Sequence, residues 1–118
     1  MNGESIKIMK IDSSIYSKIK RNQIISKTYL IDGKVVYGLS FKLGAKKLVL
    51  AKARRGFIMC GYLNMKTADK FNDAAAIVKG VANFEQLLKA KVVVVSKAAK
   101  KCGISEGMLA KEAIVKLS

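Results

Sequence analysis

The chain has no histidine, no proline and no tryptophan, and only eight acidic residues among its 118. Losing histidine removes the commonest general base, the Ser-His and Cys-His nucleophile pairs, and most catalytic zinc sites. Losing proline leaves no rigid linker to divide the chain, so turns must be built from Gly, Asp and Asn. Cysteine is scarce as well. Cys60 and Cys102 lie far apart in sequence, forming no local metal pair; with no export signal in the opening residues, they lead to the expectation of a reducing cytoplasm. The longest strongly apolar run is Val92 to Val95. A membrane-spanning helix needs roughly 20 such residues, so a soluble protein is expected. These absences weigh against catalysis, and no cofactor or metal is expected.

Lysine is what the chain has in excess. Twenty lysines and three arginines give a net charge of +15, with +10 in positions 1–60 and +5 in positions 61–118. Self-repulsion on this scale opposes compactness, so the surplus points to a polyanionic partner, with nucleic acid the first candidate. The plainer reading is a lysine-rich thermophilic surface, but such surfaces pair Lys with Glu. Only Glu4, Glu85, Glu106 and Glu112 are available to pair. An acidic membrane would call for a basic amphipathic helix or a lipid anchor, and neither pattern is present. With 51% hydrophobic residues the chain can build one core without disulfides.

The patterning predicts an α+β fold: an N-terminal antiparallel β-meander followed by a small β-α-β-α layer with a C-terminal helix. Residues 5–11 partly alternate and could form a strand, while positions 1–22 as a whole are basic and read as an arm preceding one compact α/β domain over 23–118. Asp32-Gly33 is the pair a two-residue type I′ hairpin demands. Period-two alternation then sets Val35, Tyr37, Leu39, Phe41 and Leu43 on one face, read as core, and Lys34, Gly38, Ser40 and Lys42 on the other, read as cationic. The same register puts Lys27 opposite Gly38 and Tyr29 opposite Val36. Further strands are expected over 47–53 and 57–63, a short helix over 65–71, and a strand over 74–81. Asn83 with Gln86 forms a capping box for the next helix. Val92 to Val95 reads as a buried strand and Lys97 to Cys102 as a helix closed by Gly103. A last helix is expected from Ser105, with Met108, Leu109, Glu112, Ala113, Lys116 and Leu117 as its stripe.

Three blocks in order, GFIMCGYLN (Gly56 to Asn64), KGVANFEQLLKAKVVVVS (Lys79 to Ser96) and CGISEGMLAKEAI (Cys102 to Ile114), resemble the YunC-like family of small archaeal and bacterial proteins. The likeness runs from near Ile24 to the C-terminus. It implies a compact α/β domain whose N-terminal β region mediates tetramer formation, in a family of unassigned function. The chain departs from that pattern in its extra basic segment and its charge. A tetramer of +15 chains would gather sixty positive charges, costly unless anions neutralise them.

The candidate phosphate-contacting residues are Lys18, Lys20, Arg21, Lys27, Lys34, Lys42, Lys46, Lys47, Lys52, Arg54 and Arg55, from the arm, one hairpin face and two turns. Lysine supplies point charges and arginine a fork, and both match phosphate oxygens. The plainer alternative is that strand lysines keep a sheet edge soluble. Lys97, Lys100 and Lys101 share a helix face and form an auxiliary cluster, although cations at a helix C-terminus also complement its dipole. Tyr16 and Tyr29 could stack on unpaired bases, whereas Phe57, Phe71 and Phe84 read as core. Cys60 lies in an apolar strand with no histidine to activate it and reads as packing; Asp69 and Asp73 read as helix-surface residues. The sequence therefore leads to a non-catalytic, cytoplasmic RNA-binding protein, a small ribosomal or ribosome-associated protein contacting rRNA phosphates and neighbouring ribosomal proteins. The alternatives are a YunC-like homo-oligomer that binds an anionic metabolite and a DNA-compacting chromatin protein.

Overall fold

The computed structural model describes Lys7 and residues 24–118. The expected arm over 1–22, with its strand over 5–11 and with Tyr16, Lys18, Lys20 and Arg21, lies outside the described residues apart from Lys7, which is exposed.

The first half is the predicted meander. Strands β1 (Ile24–Ile31), β2 (Lys34–Leu43), β3 (Lys46–Lys52) and β4 (Gly56–Met59) pair consecutively and antiparallel. Asp32 and Gly33 both take positive φ, 51° and 74°, the geometry a type I′ turn requires and the reason this dipeptide sits there. The register follows: Lys27 lies opposite Gly38, and Tyr29 opposite Val36.

The assignment of faces in β2 is reversed. Val36, Gly38 and Ser40 are the buried residues, while Val35, Tyr37 and Phe41 are 46%, 53% and 37% exposed. The cause is Gly38. A Cβ there would stand 2.6 Å from Phe84 Cδ1, so the missing side chain is what lets Phe84 lie on this face. Phe84 stacks on Tyr29 with ring centroids 4.1 Å apart and an interplanar angle of 3°. Burying Phe84 in this way stabilises the fold by about 1.5–3 kcal/mol. The more apolar side of the meander is thereby turned away from the core.

In the second half, α1 (Met65–Lys70) carries the chain across to β5 (Ala74–Ile77), which pairs parallel with β4; α2 (Phe84–Lys89) leads to the short β6 (Val94–Val95), antiparallel to β5. All six strands form one sheet in the order β1-β2-β3-β4-β5-β6. Helices α3 (Lys97–Lys101) and α4 (Ala110–Lys116) complete the chain. Helices α2 and α4 pack together against β2, β3 and β4, and α1 and α3 contact β5. All four β5 residues are buried: Ala74 and Ala76 join the main core, as does Ala99 of α3, while Ala75 and Ile77 lie outside that cluster, as does the buried Ala68 of α1. The core joins Val36, Val49 and Ile58 of the sheet to Leu87, Ile114 and Leu117 of the helices.

Local chemistry fixes the helix starts. Asn64 Oδ1 accepts from the amides of Lys66 and Thr67 at 3.0 and 3.3 Å. The capping box forms with a shift: Asn83 Oδ1 accepts from the Gln86 amide, but Gln86 Oε1 accepts from Ala82 rather than from Asn83, each at 2.8 Å. Fully buried Ser96 is satisfied by accepting from the Ala75 and Ala99 amides and donating to the Asp73 carbonyl. Gly103 takes φ 91° and closes α3, as predicted.

Other expectations are corrected. The strand read over 57–63 stops at Met59 and that over 74–81 at Ile77, because the chain turns away toward helices after each. Val92 to Val95 is not one buried strand: Val93 is 41% exposed and the ladder holds only Val94–Val95. The last helix begins at Ala110, not Ser105, since Gly107 at φ 89° breaks the helical path and its amide bonds the Val92 carbonyl. Its buried positions are Ala110, Ala113, Ile114 and Leu117. Phe71, read as core, is 66% exposed. Among the described residues no helix is long and apolar enough to cross a membrane.

Candidate nucleic-acid interface

Every lysine and arginine among the described residues is exposed, so none of their charges is consumed inside the fold. Their placement is uneven. At one end of the meander lie Lys34 at the start of β2, Lys52 at the end of β3, and Arg54 and Arg55 in the turn to β4. That turn is closed by a bond from the Ala53 amide to the Gly56 carbonyl at 2.8 Å, and the Arg55 amide is tied to the Leu117 carbonyl at 2.6 Å. A small backbone loop held at both sides presents the two guanidinium groups.

At the opposite end lie Lys42, Lys46 and Lys47. Lys42 and Lys47 are directly cross-strand, a like-charge placement that destabilises an isolated sheet. Lys27 is nearby on the same face, beside a small recess formed with Lys47, Ser40, Asn83 and Glu85. Eight residues of strand separate Lys34 from Lys42, roughly 25 Å at about 3.3 Å per residue. The candidate set is therefore two cationic groups on one rigid sheet rather than one patch.

Lys97, Lys100 and Lys101 lie apart from both on α3, all exposed. The Lys97 amide donates to Asp69 Oδ1 at 2.9 Å, so Asp69 caps this helix. Lys100 and Lys101 stand in the last turn, where they complement the dipole. Phe84 covers one face of the half-buried Tyr29 ring.

Sequence reasoning missed Lys79. It follows β5 and, with Lys46 and Lys47, borders an open cleft of about 690 Å³ that also touches Cys60, Gly61, Tyr62, Gly80 and Val81. The available signal was Lys79-Gly80 directly after an apolar strand. Cys60 forms a wall of this cleft and is buried; its Sγ accepts from the Val49 amide at 3.4 Å and faces the Lys47 carbonyl at 3.9 Å. Among the described residues, His, Cys, Asp and Glu do not gather in threes that could hold a metal ion.

Residues 59–117 match a domain of unknown function, DUF1805. The chain belongs to this family. Cys60, Gly61, Lys79 and Gly80 fall inside the DUF1805 match, whereas Lys46, Lys47 and both end groups of the meander precede it. The crystal structure of a protein of unknown function from Thermoplasma acidophilum is similar over 80% of this chain and 93% of that one, at 39% sequence identity and a TM-score of 0.78. No curated protein matches the chain.

Proposed function

We propose that the protein is a non-catalytic RNA-binding protein of the cytoplasm, a small component of the ribosome or a factor attached to it, and that it contacts rRNA through phosphates. The observation that carries this reading is the separation of the two cationic groups. A single metabolite does not bridge roughly 25 Å, whereas a phosphate polymer meets both ends at once and gains affinity from each. DNA offers the same charge, and a folded RNA is favoured because its irregular backbone suits two separated sites better than one continuous groove does.

The test uses the full chain and native ribosomal particles in co-sedimentation, with RNA binding measured by fluorescence anisotropy. Replacing Lys34, Arg54 and Arg55 with Ala, or Lys42, Lys46 and Lys47 with Ala, should each weaken RNA binding at least tenfold, and the combined variant should weaken it further. Equal affinity for all of these proteins would sink the reading.

A second reading, self-association, rests on a separate observation. The side of the meander away from the helices exposes Leu30 (73%), Tyr37 and Phe41, with half-buried Leu39, Leu43, Leu48 and Leu50 between them. A continuous apolar sheet face of this kind is where a partner docks. The YunC-like resemblance supports a homo-oligomer through the same strands. Sedimentation velocity at micromolar concentration should reveal an oligomer that Leu30→Asp with Tyr37→Asp converts to monomer. Because like charges oppose assembly, added salt should strengthen this association while weakening RNA binding. A protein monomeric at every concentration and salt would exclude it.

A further inference from the structure

We propose that the cleft outside the carboxyl ends of β4 and β5 binds a small phosphorylated molecule, a site that neither depends on the RNA reading nor follows from it. The topology makes the cleft. β4 and β5 are the parallel neighbours of the sheet. After β4 the chain turns toward α1, on the β5 side opposite the main core; after β5 it turns toward α2, which packs on the core side with α4. Two parallel strands whose following connections leave toward opposite faces open a crevice between them, the position where α/β sheets hold their ligands.

The lining gives the crevice its chemistry. Lys46 and Lys47 enter from the start of β3 and Lys79 from the connection after β5, and no carboxylate joins them. A border with three lysines and no carboxylate favours a phosphate dianion over a singly charged carboxylate. The backbone is open to close approach. A Cβ added at Gly61 or at Gly80 would meet nothing within 4 Å, and Gly80 holds φ 73°. Neither amide donates to another described residue, so both are available to phosphate oxygens. Tyr62 and Val81 supply aromatic and apolar surface for the organic part. The volume of about 690 Å³ fits a ligand of metabolite size.

The test is a ¹H–¹⁵N NMR titration of the full chain with inorganic pyrophosphate and, separately, with adenosine 5′-monophosphate, against sodium chloride of equal ionic strength. The expected result is saturable shifts centred on the Gly61 and Gly80 amides, with the dissociation constant raised at least tenfold by Lys79→Glu. Arg54→Ala with Arg55→Ala should leave it within about twofold. Shifts that never saturate, or that are as large around Arg54 and Arg55 as around Gly80, overturn the site. A short RNA oligonucleotide forms the last arm. If RNA saturates the cleft amides while neither small phosphate does, the cleft is a stop on an RNA path and the free-ligand proposal is overturned. If small phosphates fail and RNA binds elsewhere, the cleft proposal falls while the RNA reading stands.

Discussion

Raising the salt from 50 to 200 mM is expected to lower the affinity of this protein for RNA by roughly 10³ to 10⁵-fold, provided six to ten phosphates are neutralised. The two end groups alone supply seven cations: Lys34, Lys52, Arg54 and Arg55 at one end, and Lys42, Lys46 and Lys47 at the other. Each contacted phosphate releases its condensed counterions, and the logarithm of affinity falls with slope about −0.7 per contact for single strands and about −0.9 for duplex. Seven contacts on single-stranded RNA therefore predict a slope near −5. The slope also divides the set. Neutralising Lys42, Lys46 and Lys47 should reduce its magnitude by about 2, and the change should be similar for RNAs of different sequence, because phosphate contacts carry no base information. Anisotropy titrations at four salt concentrations measure this directly. A slope shallower than −1 would mean that the lysines are simply hydrated, and the electrostatic account would fail with it.

How the fold can be read from residues differs between its two halves. The hairpin is legible because Asp32-Gly33 tolerates only one turn geometry, and that turn sets every cross-strand pair from Ile24 opposite Phe41 to Ile31 opposite Lys34. Asn83 and Gly103 are equally legible, since a cap is chemistry between residues a few positions apart. The orientation of the sheet is not local. Both sides of β2 carry apolar residues, and what selects the buried one is Phe84, more than forty positions away, fitting over Gly38. The richer apolar side would be core only if helices covered it, whereas they cover the side with room for an aromatic ring.

The candidate site divides on the same line. That Lys34, Lys42, Lys46, Lys47, Lys52, Arg54 and Arg55 are exposed follows from their charge. Their separation into two ends follows from strand direction, which the hairpin and the glycine turns already encode. The share taken by Lys79 could not be found this way. Its place beside Lys46 and Lys47 depends on β5 lying parallel to β4, and that arrangement is set by the α1 crossover rather than by any feature around Lys79.

Gly56→Ala is expected to cost about 3 kcal/mol of stability, at the upper end of what overpacking does in a well-filled core. A Cβ at this position would collide with the carbonyl oxygen of Ala74 and stand 2.9 Å from both the Ala74 Cβ and Leu117 Cδ2. Gly56 is not in the left-handed region, so the effect is steric and not conformational. Nor can the backbone retreat easily. Gly56 is the ladder partner of Ala74, its carbonyl accepts from Ala53, and the preceding amide is anchored on Leu117. A flexible side chain could move aside, but the nearest obstruction is the main chain of a strand buried on both sides. For a chain of this size the loss corresponds to a fall in Tm of about 10 °C or more. Gly61→Ala, where the added methyl would meet nothing within 4 Å, should stay within about 0.5 kcal/mol of the parent. The Arg54-Arg55 turn is tied to Leu117, the residue that follows α4 and that the added Cβ would press on, so Gly56→Ala should also loosen the presentation of both arginines and weaken RNA binding at temperatures where the protein is still folded. If Gly56→Ala melts within 2 °C of the parent, β4 does not approach β5 this closely, and the rigid turn assigned to the arginines loses its support.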